Sequence, residues 1–449
     1  MAYADPYRRE AEALLQLGLP LIGSQLAALA IGITDVIMLG RYSVDALAAG
    51  VLGHSVLFAF IMLGAGFAFA VMPLVATADA EGDRTTLRRV TRMGLWLSVG
   101  FGIVMLPLML VGPGLLSVLG QPEELAADAG LYLQIAGLGI APALVLFTMR
   151  SALSAVERTQ AVLWATILSA LVNLGLNWVL IFGRFGFPEL GVAGAAIASV
   201  VVQCVGAGAL ALYARYVFRA EKLFSRIWRV DTEAMAQVFR LGLPIGLTHL
   251  SEVGLFAAAA IMVGWIGTVE VAAHGVALQA ASVTFMFHLG LSHAATVRAG
   301  SAYGRRDRTD LMRGAGVALT LSCLFALITV LLFIALPEPI AGIFLDRSDP
   351  EAPQVIKVAV VLIFMAALFQ VADGMQVMVL GLLRGLHDTA WPMGLAAGSY
   401  WLVGIPLSYV LGHVAGYGAV GVWWGLVAGL GCAGVLLMGR FVQRSRMLA

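Results

Sequence analysis

The chain has 449 residues, of which 61% are hydrophobic and only 12% are charged, and its mean hydropathy is +0.94. Soluble domains average about 45–50% apolar and about 25% charged residues, so the composition excludes a soluble protein and requires that lipid surround most of the chain. The net charge of +1 gives no support to a nucleic-acid partner. Cys204, Cys323 and Cys432 each stand alone in an apolar run, which excludes a disulfide framework or a cysteine metal motif.

Long apolar runs follow one another along almost the whole chain. A spanning helix needs about 20 mostly apolar residues, and the first such run is too long for the apolar part of a signal peptide, so we interpret it as a retained helix. The predicted spans are 14–39, 46–76, 90–119, 125–149, 161–182, 190–217, 237–266, 270–300, 313–336, 354–383, 390–412 and 416–440. The sequence therefore predicts an all-α integral membrane protein of about twelve transmembrane helices.

Lysine and arginine are distributed very unequally between alternate ends of these helices. If the N-terminus lies in the cytoplasm, the outer side holds only Arg41, Arg184, Arg347 and Lys357, which leaves 23 of the 27 basic residues inside. Cytoplasmic loops carry such an excess. We therefore expect a multi-pass protein of the bacterial inner membrane with both termini in the cytoplasm, and arginine-rich loops that contact anionic lipid.

The two halves of the sequence resemble each other at a constant offset. Leu17–Pro20 recurs as Leu241–Pro244, and Asp83–Leu87 is echoed by Asp307–Leu311, both 224 residues later. Six helices in each repeat predict two lobes that are related by an axis along the membrane normal. We predict an N-lobe over residues 1–217, a cytoplasmic linker over 218–236 and a C-lobe over 237–449.

Several segments carry a family resemblance, in order along nearly the whole chain. They are the Gly-Leu-Pro start of helix 1, Thr34–Gly40, the start of helix 7 with Glu252 eight residues after Pro244, Ala272–Gln279, and Gln370–Gln376 running into Leu383–Asp388. Together they resemble the multidrug and toxic compound extrusion (MATE) family, in its bacterial NorM-like branch.

The resemblance implies an antiporter that expels bulky, often cationic compounds in exchange for H⁺ or Na⁺, without another cofactor. It also implies roles for individual residues. Coupling and cation binding are implied for Asp35, Asn173, Asn177, Ser199, Glu252, Gln279 and Asp373, and bending of helix 1 for Pro20. Two departures weigh against a Na⁺ site at Glu252 and Asp373: Phe369 stands where the family often has tyrosine, and Gln279 where asparagine is usual.

Only three carboxylates fall deep within apolar runs, namely Asp35, Glu252 and Asp373. A charge at the centre of the bilayer costs about 2.5–3.5 kcal/mol even on insertion scales, so such residues usually face a cavity, a partner or a transport path. A carboxylate placed in this way can accept a proton or pair with an organic cation, but it cannot do both at once. That competition is the minimal chemistry of an antiporter. For Asp35 the alternative to such a transport role is a structural hydrogen bond near a helix end.

Other polar residues in the membrane have structural explanations of comparable weight. Asn173 and Asn177 are four residues apart, so their amides share one helix face and could hold two helices together. Pro20 could begin a helix or bend it. The membrane histidines, among them His249 and His274, form no ligand spacing, and we interpret them as partners in hydrogen bonds between helices.

Two other classes of function compete with a drug antiporter. A lipid or lipid-precursor flippase of the wider superfamily would carry a strongly basic central cavity, whereas here the basic residues lie in loops or at helix ends. An intramembrane enzyme is not supported, because the sequence lacks HExxH, Walker and nucleophile-elbow motifs. We expect a monomeric transporter, not an enzyme, with drug-like small molecules and membrane lipid as its partners.

Overall fold

The computed structural model describes residues 6–118, 120–344 and 352–447, and over these ranges it is helical without β-strands. Twelve helices in the described residues are long and apolar enough to cross a membrane. They are α1 (Pro6–Tyr42), α2 (Val44–Ala80), α3 (Arg84–Leu110), α4 (Glu123–Ala155), α5 (Thr159–Phe182), α6 (Gly191–Val217), α7 (Thr232–Gly264), α8 (Thr268–Gly304), α9 (Arg308–Ala335), α10 (Ala352–Gly385), α11 (Ala390–Val414) and α12 (Gly418–Arg446). The predicted fold class of a twelve-helix membrane protein is confirmed. Arg347, which the sequence placed on the outer side, lies outside the described residues.

Several helices extend beyond the apolar runs, and one predicted run is divided. The predicted third span reached residue 119, but α3 ends at Leu110 and a separate short helix covers Gly112–Val118. Pro113 in the Gly-Pro-Gly sequence lacks the N–H group that a continuous helix would require, which explains the break. The chain also includes a 3₁₀ turn at Gly137–Gly139 within α4 and two π-helical stretches within α11.

The internal repeat is visible in how two equivalent helices begin. The Asp83 side chain accepts hydrogen bonds from the backbone N–H groups of Thr85 and Thr86 at the start of α3. Asp307, 224 residues later, accepts one from the backbone N–H of Asp310 at the start of α9. Aspartate is a favoured N-cap because its oxygens satisfy donors that the first turn leaves free. The Thr86 hydroxyl also donates to the Asp83 carboxylate. This bond is the main cause, ahead of the backbone bonds, that holds the pKa of the Asp83 carboxyl group below its usual range.

The packing divides the chain into two compact units whose boundaries fall inside α1 and α7. One unit, the N-unit, covers Gly23–Leu247; the other, the C-unit, contains the chain up to Ile22 together with everything from Thr248 onward. The division at residues 217 and 237 follows the repeat and stays a prediction.

The N-unit is a bundle in which α2 packs against α3 and α4, and α5 packs against α6. Its buried core is formed by small and aliphatic side chains. A close helix approach joins α2 and α7, where a Cβ atom on Gly66 would collide with the backbone of Gly242 and Gly246. The linker ahead of α7 is held by α3, because Arg92 donates to the Leu223 carbonyl over 2.5 Å and Trp96 donates to the Ile227 carbonyl over 2.7 Å.

In the C-unit, α10 is the central helix, and α8, α9 and α12 all pack against it. A long buried stretch of α10 runs from Gln376 to Gly385. The first turns of α1 join this unit through Glu10, which receives two hydrogen bonds from Arg298 near the end of α8, at 2.9 and 2.5 Å. Each unit therefore encloses polar residues in an otherwise apolar bundle.

Candidate functional site

The predicted site residues form two clusters, one in each unit, and the first is built around Asp35. Its Oδ1 atom accepts a hydrogen bond from Asn173 Nδ2 at 2.9 Å and another from Asn177 Nδ2 at 2.5 Å. Both asparagines are fully buried on α5, whereas Asp35 on α1 is half-buried. The structure therefore brings Asp35 together with two residues that lie 138 and 142 positions later in the sequence.

The arrangement follows from helix geometry. Residues 173 and 177 are separated by about one turn, so both amides project from the same face of α5. They also contact each other, with Asn177 Nδ2 3.3 Å from Asn173 Oδ1. In the part of the chain that the structure describes, the protein hydrogen bonds to Asp35 all end on Oδ1. Its Oδ2 atom keeps its lone pairs for another ligand.

Two further residues belong to this cluster, although the sequence gave no reason to select them. The hydroxyl of Tyr132 on α4 lies close to the predicted residue Ser199 on α6 and is close enough to interact with the Asp35 carboxylate. His54 on α2 interacts electrostatically with Asp35 and stacks on Phe58 with ring centroids 6.0 Å apart. No sequence motif marks them, because they reach Asp35 from other helices.

The second cluster lies in the C-unit and contains Glu252 and Asp373. The two carboxylates interact with each other, and Asp373 is buried with 4% of its surface exposed. Gln376, one turn after Asp373 on α10, places Nε2 3.4 Å from Glu252 Oε1. Asp373 Oδ1 is buried without a hydrogen-bond partner among the described residues. Contacts between α7 and α10 thus run through this acid cluster.

Basic and aromatic groups complete the second cluster. His249 Nδ1 lies 3.8 Å from Glu252 Oε2, and Arg384 Nη2 lies 3.4 Å from His249 Nε2. Tyr400 on α11 is fully buried and interacts with Glu252, Asp373 and Arg384. The sequence predicts His249 only as a partner in hydrogen bonds between helices, and it contains Arg384 and Gln376 only within the segments that carry the family resemblance.

Two positions that the family resemblance singled out, Gln279 and Phe369, make no hydrogen bond to the acids in the described residues. Gln279 on α8 is half-buried, and within the described ranges no hydrogen bond connects it with Glu252 or Asp373. Phe369 packs edge-on against Phe256 and Trp423, with ring centroids 5.9 and 5.5 Å away. An aromatic ring without a hydroxyl group thus occupies this position.

Pro20 is a buried residue inside α1, two residues before the boundary between the units. Pro244 has the equivalent position inside α7, three residues before the other boundary. On the N-unit side, the guanidinium group of Arg150 donates hydrogen bonds to Ser24 (2.7 Å) and to Gln25. The prolines therefore do not begin these helices but lie within them, where a proline removes one backbone hydrogen bond.

Two basic residues at helix ends are buried inside the protein. Arg150 and Arg384 lie toward the ends of α4 and α10, as expected, but both are buried, with 8% and 6% of their surface exposed. Arg150 contacts neutral oxygens, whereas Arg384 belongs to the acid cluster through His249. Each buried guanidinium is thus satisfied inside its own unit.

Both clusters can bind positive charge. Asp35 presents one carboxylate oxygen that the protein leaves available, and Glu252 with Asp373 presents carboxylate oxygens together with the Gln376 amide. Intramembrane carboxylates that face such polar surroundings are characteristic of ion and substrate pathways.

Comparison with known proteins places the chain in a family. The MatE family model matches residues 20–179 and 244–410. The "Probable multidrug resistance protein NorM" of Rhizobium meliloti is 44% identical over 442 residues, covering 97% of this chain and 94% of that protein. The protein of the same name from Agrobacterium fabrum is 44% identical over 433 residues, covering 96% and 93%.

Solved structures show the same fold at lower identity. A MOP superfamily transporter from Pyrococcus furiosus superposes with a TM-score of 0.88 at 21% identity, covering 98% of this chain and 96% of that one. A eukaryotic MATE transporter superposes with a TM-score of 0.88 at 20% identity, covering 99% of both chains. The resemblance in the sequence motifs is thereby confirmed, and the chain belongs to the MatE family of multidrug and toxic compound extrusion proteins.

Proposed function

We propose that this protein is a secondary-active multidrug efflux antiporter that exports cationic or amphipathic organic compounds in exchange for protons. Its relatives at 44% identity are named as multidrug resistance proteins, and they align over nearly their whole length. We also propose that it is a monomer of the bacterial inner membrane with both termini in the cytoplasm. This orientation places 23 of its 27 basic residues on the inner side, as cytoplasmic loops require.

The observation that supports this function most directly is the hydrogen bonding of Asp35. Both asparagine amides donate to Oδ1 and hold the carboxylate in one orientation, while Oδ2 remains available. A proton on Oδ2 neutralises the group, and loss of that proton restores a negative charge that attracts an organic cation. Proton and substrate therefore compete for the same charge, which couples their movements in opposite directions.

The donors around each cluster favour a proton over Na⁺ as the coupling ion. A proton needs a single lone pair, whereas a sodium ion needs a shell of several oxygens. At Asp35 the neighbouring amides present N–H groups to the carboxylate. In the second cluster, the ring of Phe369 supplies no oxygen.

The flippase alternative predicts a basic central cavity. The structure contains two buried arginines, but Arg150 is bonded to Ser24 and Gln25, and Arg384 approaches His249 beside Glu252. Arg150 lies in the N-unit and Arg384 in the C-unit, and each guanidinium is occupied by these partners. The antiporter remains the better supported function, and we propose no enzymatic reaction.

Transport into proteoliposomes tests this function. Purified protein is reconstituted, a fluorescent organic cation is supplied, and a pH gradient and a Na⁺ gradient are imposed in separate experiments. We expect the pH gradient alone to drive cation movement and collapse of the gradient by an ionophore to stop it. Transport driven only by the Na⁺ gradient would contradict proton coupling, and movement of labelled lipid without cation transport would favour the flippase.

A further inference from the structure

The linker between α6 and α7 lies along the first turns of α3. Arg92 Nη2 donates to the Lys222 carbonyl at 2.7 Å, and Trp96 Nε1 donates to the Ile227 carbonyl at 2.7 Å. Arg88 Nη1 approaches another linker carbonyl at 3.4 Å. These three donors are spaced by four residues, so they share one face of α3. The backbone of the linker is therefore fixed by side chains of a spanning helix.

The linker advances along α3 and then turns back. Its carbonyl contacts move from the first to the last of these donors, about 12 Å at 1.5 Å for each residue of the helix. Afterwards the chain returns, because Asp231 pairs with Arg89 near the start of the same helix. The furthest point is the tip that Ile227 and Trp228 form. The tip lies beside Trp96, in the apolar run of α3, and thus close to the level where this helix enters the membrane.

The tip has the composition of a segment that binds a membrane interface. Trp228 exposes 73% of its surface, and Arg226 and Arg229, on either side of it in the sequence, are also exposed. Tryptophan is enriched where acyl chains meet lipid headgroups, and arginine donates to phosphate oxygens through a planar pair of N–H groups. The tip thus presents one indole ring and two guanidinium groups together.

The acidic groups near the linker are already paired with other arginines. Arg89 binds Asp231 and also Glu233, with Nη2 2.6 Å from the Glu233 carboxylate. Arg84 binds Asp79 at 2.6 Å. The basic residues of this surface that form no ion pair within the described ranges are Arg88, Arg92, Lys222, Arg226 and Arg229. The surface therefore keeps an excess of positive charge, which complements an anion.

A phospholipid matches these features better than a soluble anion. A free phosphate could bind the guanidinium groups, but it would leave the exposed ring of Trp228 uncovered. A phospholipid offers a phosphate at the depth of the headgroups and acyl chains directly beside it, which cover the ring. Basic residues next to spanning helices attract the anionic lipids of the cytoplasmic leaflet, and the proposed orientation puts the linker on that side.

We propose that the tip of the linker is a binding site for an anionic phospholipid. Arg226 and Arg229 hold the phosphate group, Trp228 enters the interface beside the acyl chains, and the contacts from α3 keep the tip at this depth. The site uses none of the residues of the two acid clusters. It does not depend on which compound or ion the protein transports.

Quenching of tryptophan fluorescence by brominated lipids tests the site in the full-length protein. The protein is placed in phosphatidylcholine nanodiscs with increasing fractions of dibrominated phosphatidylglycerol or, in parallel, of dibrominated phosphatidylcholine. The signal of Trp228 is the difference between the wild type and Trp228→Phe. We expect half-maximal quenching of this signal at a lower fraction of phosphatidylglycerol than of phosphatidylcholine. The ratio of the two fractions measures the preference for the anionic lipid.

Removing the charge of the tip should remove this preference. Each basic residue near an anionic surface strengthens binding by about fivefold, so Arg226→Gln combined with Arg229→Gln should bring the ratio close to one. Arg226→Lys combined with Arg229→Lys keeps the charge and should keep most of the preference. The matched control, Arg41→Gln combined with Arg184→Gln, removes the same charge at two other exposed positions and should leave the ratio unchanged. Thermal unfolding verifies that each variant is folded.

Three results would overturn the proposal. Equal quenching by both lipids in the wild type, or none of the Trp228 signal, would show that the tip does not select an anionic lipid. A preference that persists in Arg226→Gln combined with Arg229→Gln would place the lipid elsewhere. Loss of the preference on addition of inorganic phosphate would indicate a site for a soluble anion. Both leaflets of the nanodisc contain the brominated lipid, so these outcomes do not depend on orientation or transport, and a failure of antiport would leave the lipid site unaffected.

Discussion

Arg89 at the start of α3 forms a two-point ion pair with Asp231, the residue that precedes α7: Nε lies 2.5 Å from Oδ2, and Nη2 lies 3.1 Å from Oδ1. The equivalent positions 224 residues away are Arg313 and Tyr7, and there the guanidinium lies over the tyrosine ring at 5.9 Å. The third helix of each repeat therefore contacts the chain segment that leads into the first helix of the other repeat.

The Arg89 ion pair predicts a pH-dependent contribution to stability. The Arg89 guanidinium holds the pKa of the Asp231 carboxyl group below its usual range. A depressed folded-state pKa stabilises the protein above the unfolded value of about 3.9, and the contribution is lost as the pH falls toward the folded value. Asp231→Asn, which keeps a helix-capping side chain, should lower the thermal midpoint at neutral pH by a few degrees, and this effect should fade as the pH falls and Asp231 becomes protonated.

Scanning fluorimetry at several pH values measures this difference. Glu12→Gln, which removes an exposed partner of Arg8 on α1, is the matched control and should leave the midpoint unchanged. A difference between wild type and Asp231→Asn that stays constant down to pH 3 would show that the ion pair does not stabilise the fold.

Asp35→Asn tests the coupling role of the first cluster. The amide mimics the protonated carboxyl group. The variant should therefore fold and reconstitute into proteoliposomes normally, but it should lose export driven by a pH gradient. Size-exclusion chromatography and thermal unfolding verify folding, and dye flux in proteoliposomes measures transport. Export at the wild-type rate would remove Asp35 from the coupling mechanism.

Asn177→Leu removes one of the two donors to Asp35 while preserving the volume of the side chain. A hydrogen bond to a charged group contributes about 1.5–3 kcal/mol, so Asp35 should keep its proton to a higher pH. The midpoint of pH-dependent transport should rise by about 1–2 units. Ser169→Ala, two turns earlier on the same buried face of α5, is the control and should keep the wild-type midpoint. Equal midpoints for all three proteins would mean that the asparagines only join helices.

Neutralising the acids of the second cluster should discriminate between substrates by charge. If Glu252 and Asp373 hold the organic cation, as we propose, Glu252→Gln or Asp373→Asn should lower the affinity for a cationic dye by about 1–3 kcal/mol. A neutral amphipathic dye of similar size should bind almost as before. Equilibrium binding to the purified variants is the measurement. Parallel losses for both dyes, or none for either, would exclude Glu252 and Asp373 from the substrate site.

The distribution of basic residues predicts the sidedness of two exposed loops. Ser225 lies in the linker before α7, and Phe187 lies between α5 and α6 with 55% of its surface exposed. In a background without Cys204, Cys323 and Cys432, a cysteine at 225 should react with an impermeant reagent only from the cytoplasmic side, and a cysteine at 187 only from the outside. Labelling of both positions from one side would contradict the topology.

The number and order of the helices could be predicted because lipid imposes a simple length rule on apolar segments. Their ends could not, since α1 begins at Pro6 and α12 continues to Arg446, beyond the apolar runs. Polar turns of a helix outside the membrane leave no hydropathy signal. The break after α3 was also missed, although Gly112, Pro113 and Gly114 mark it in the sequence.

The sequence by itself determined the membrane class, the twelve spans, the repeat and the three acids within the spans, because hydropathy and charge are local properties that a bilayer separates strongly. Only the tertiary structure decided which side chains meet those acids. Asn173 and Asn177 reach Asp35, whereas His249, Gln376 and Arg384 gather at Glu252 through the packing of α7 against α10. Hydrogen bonds depend on distances of a few ångströms between atoms on different helices, and one-dimensional spacing does not specify those distances.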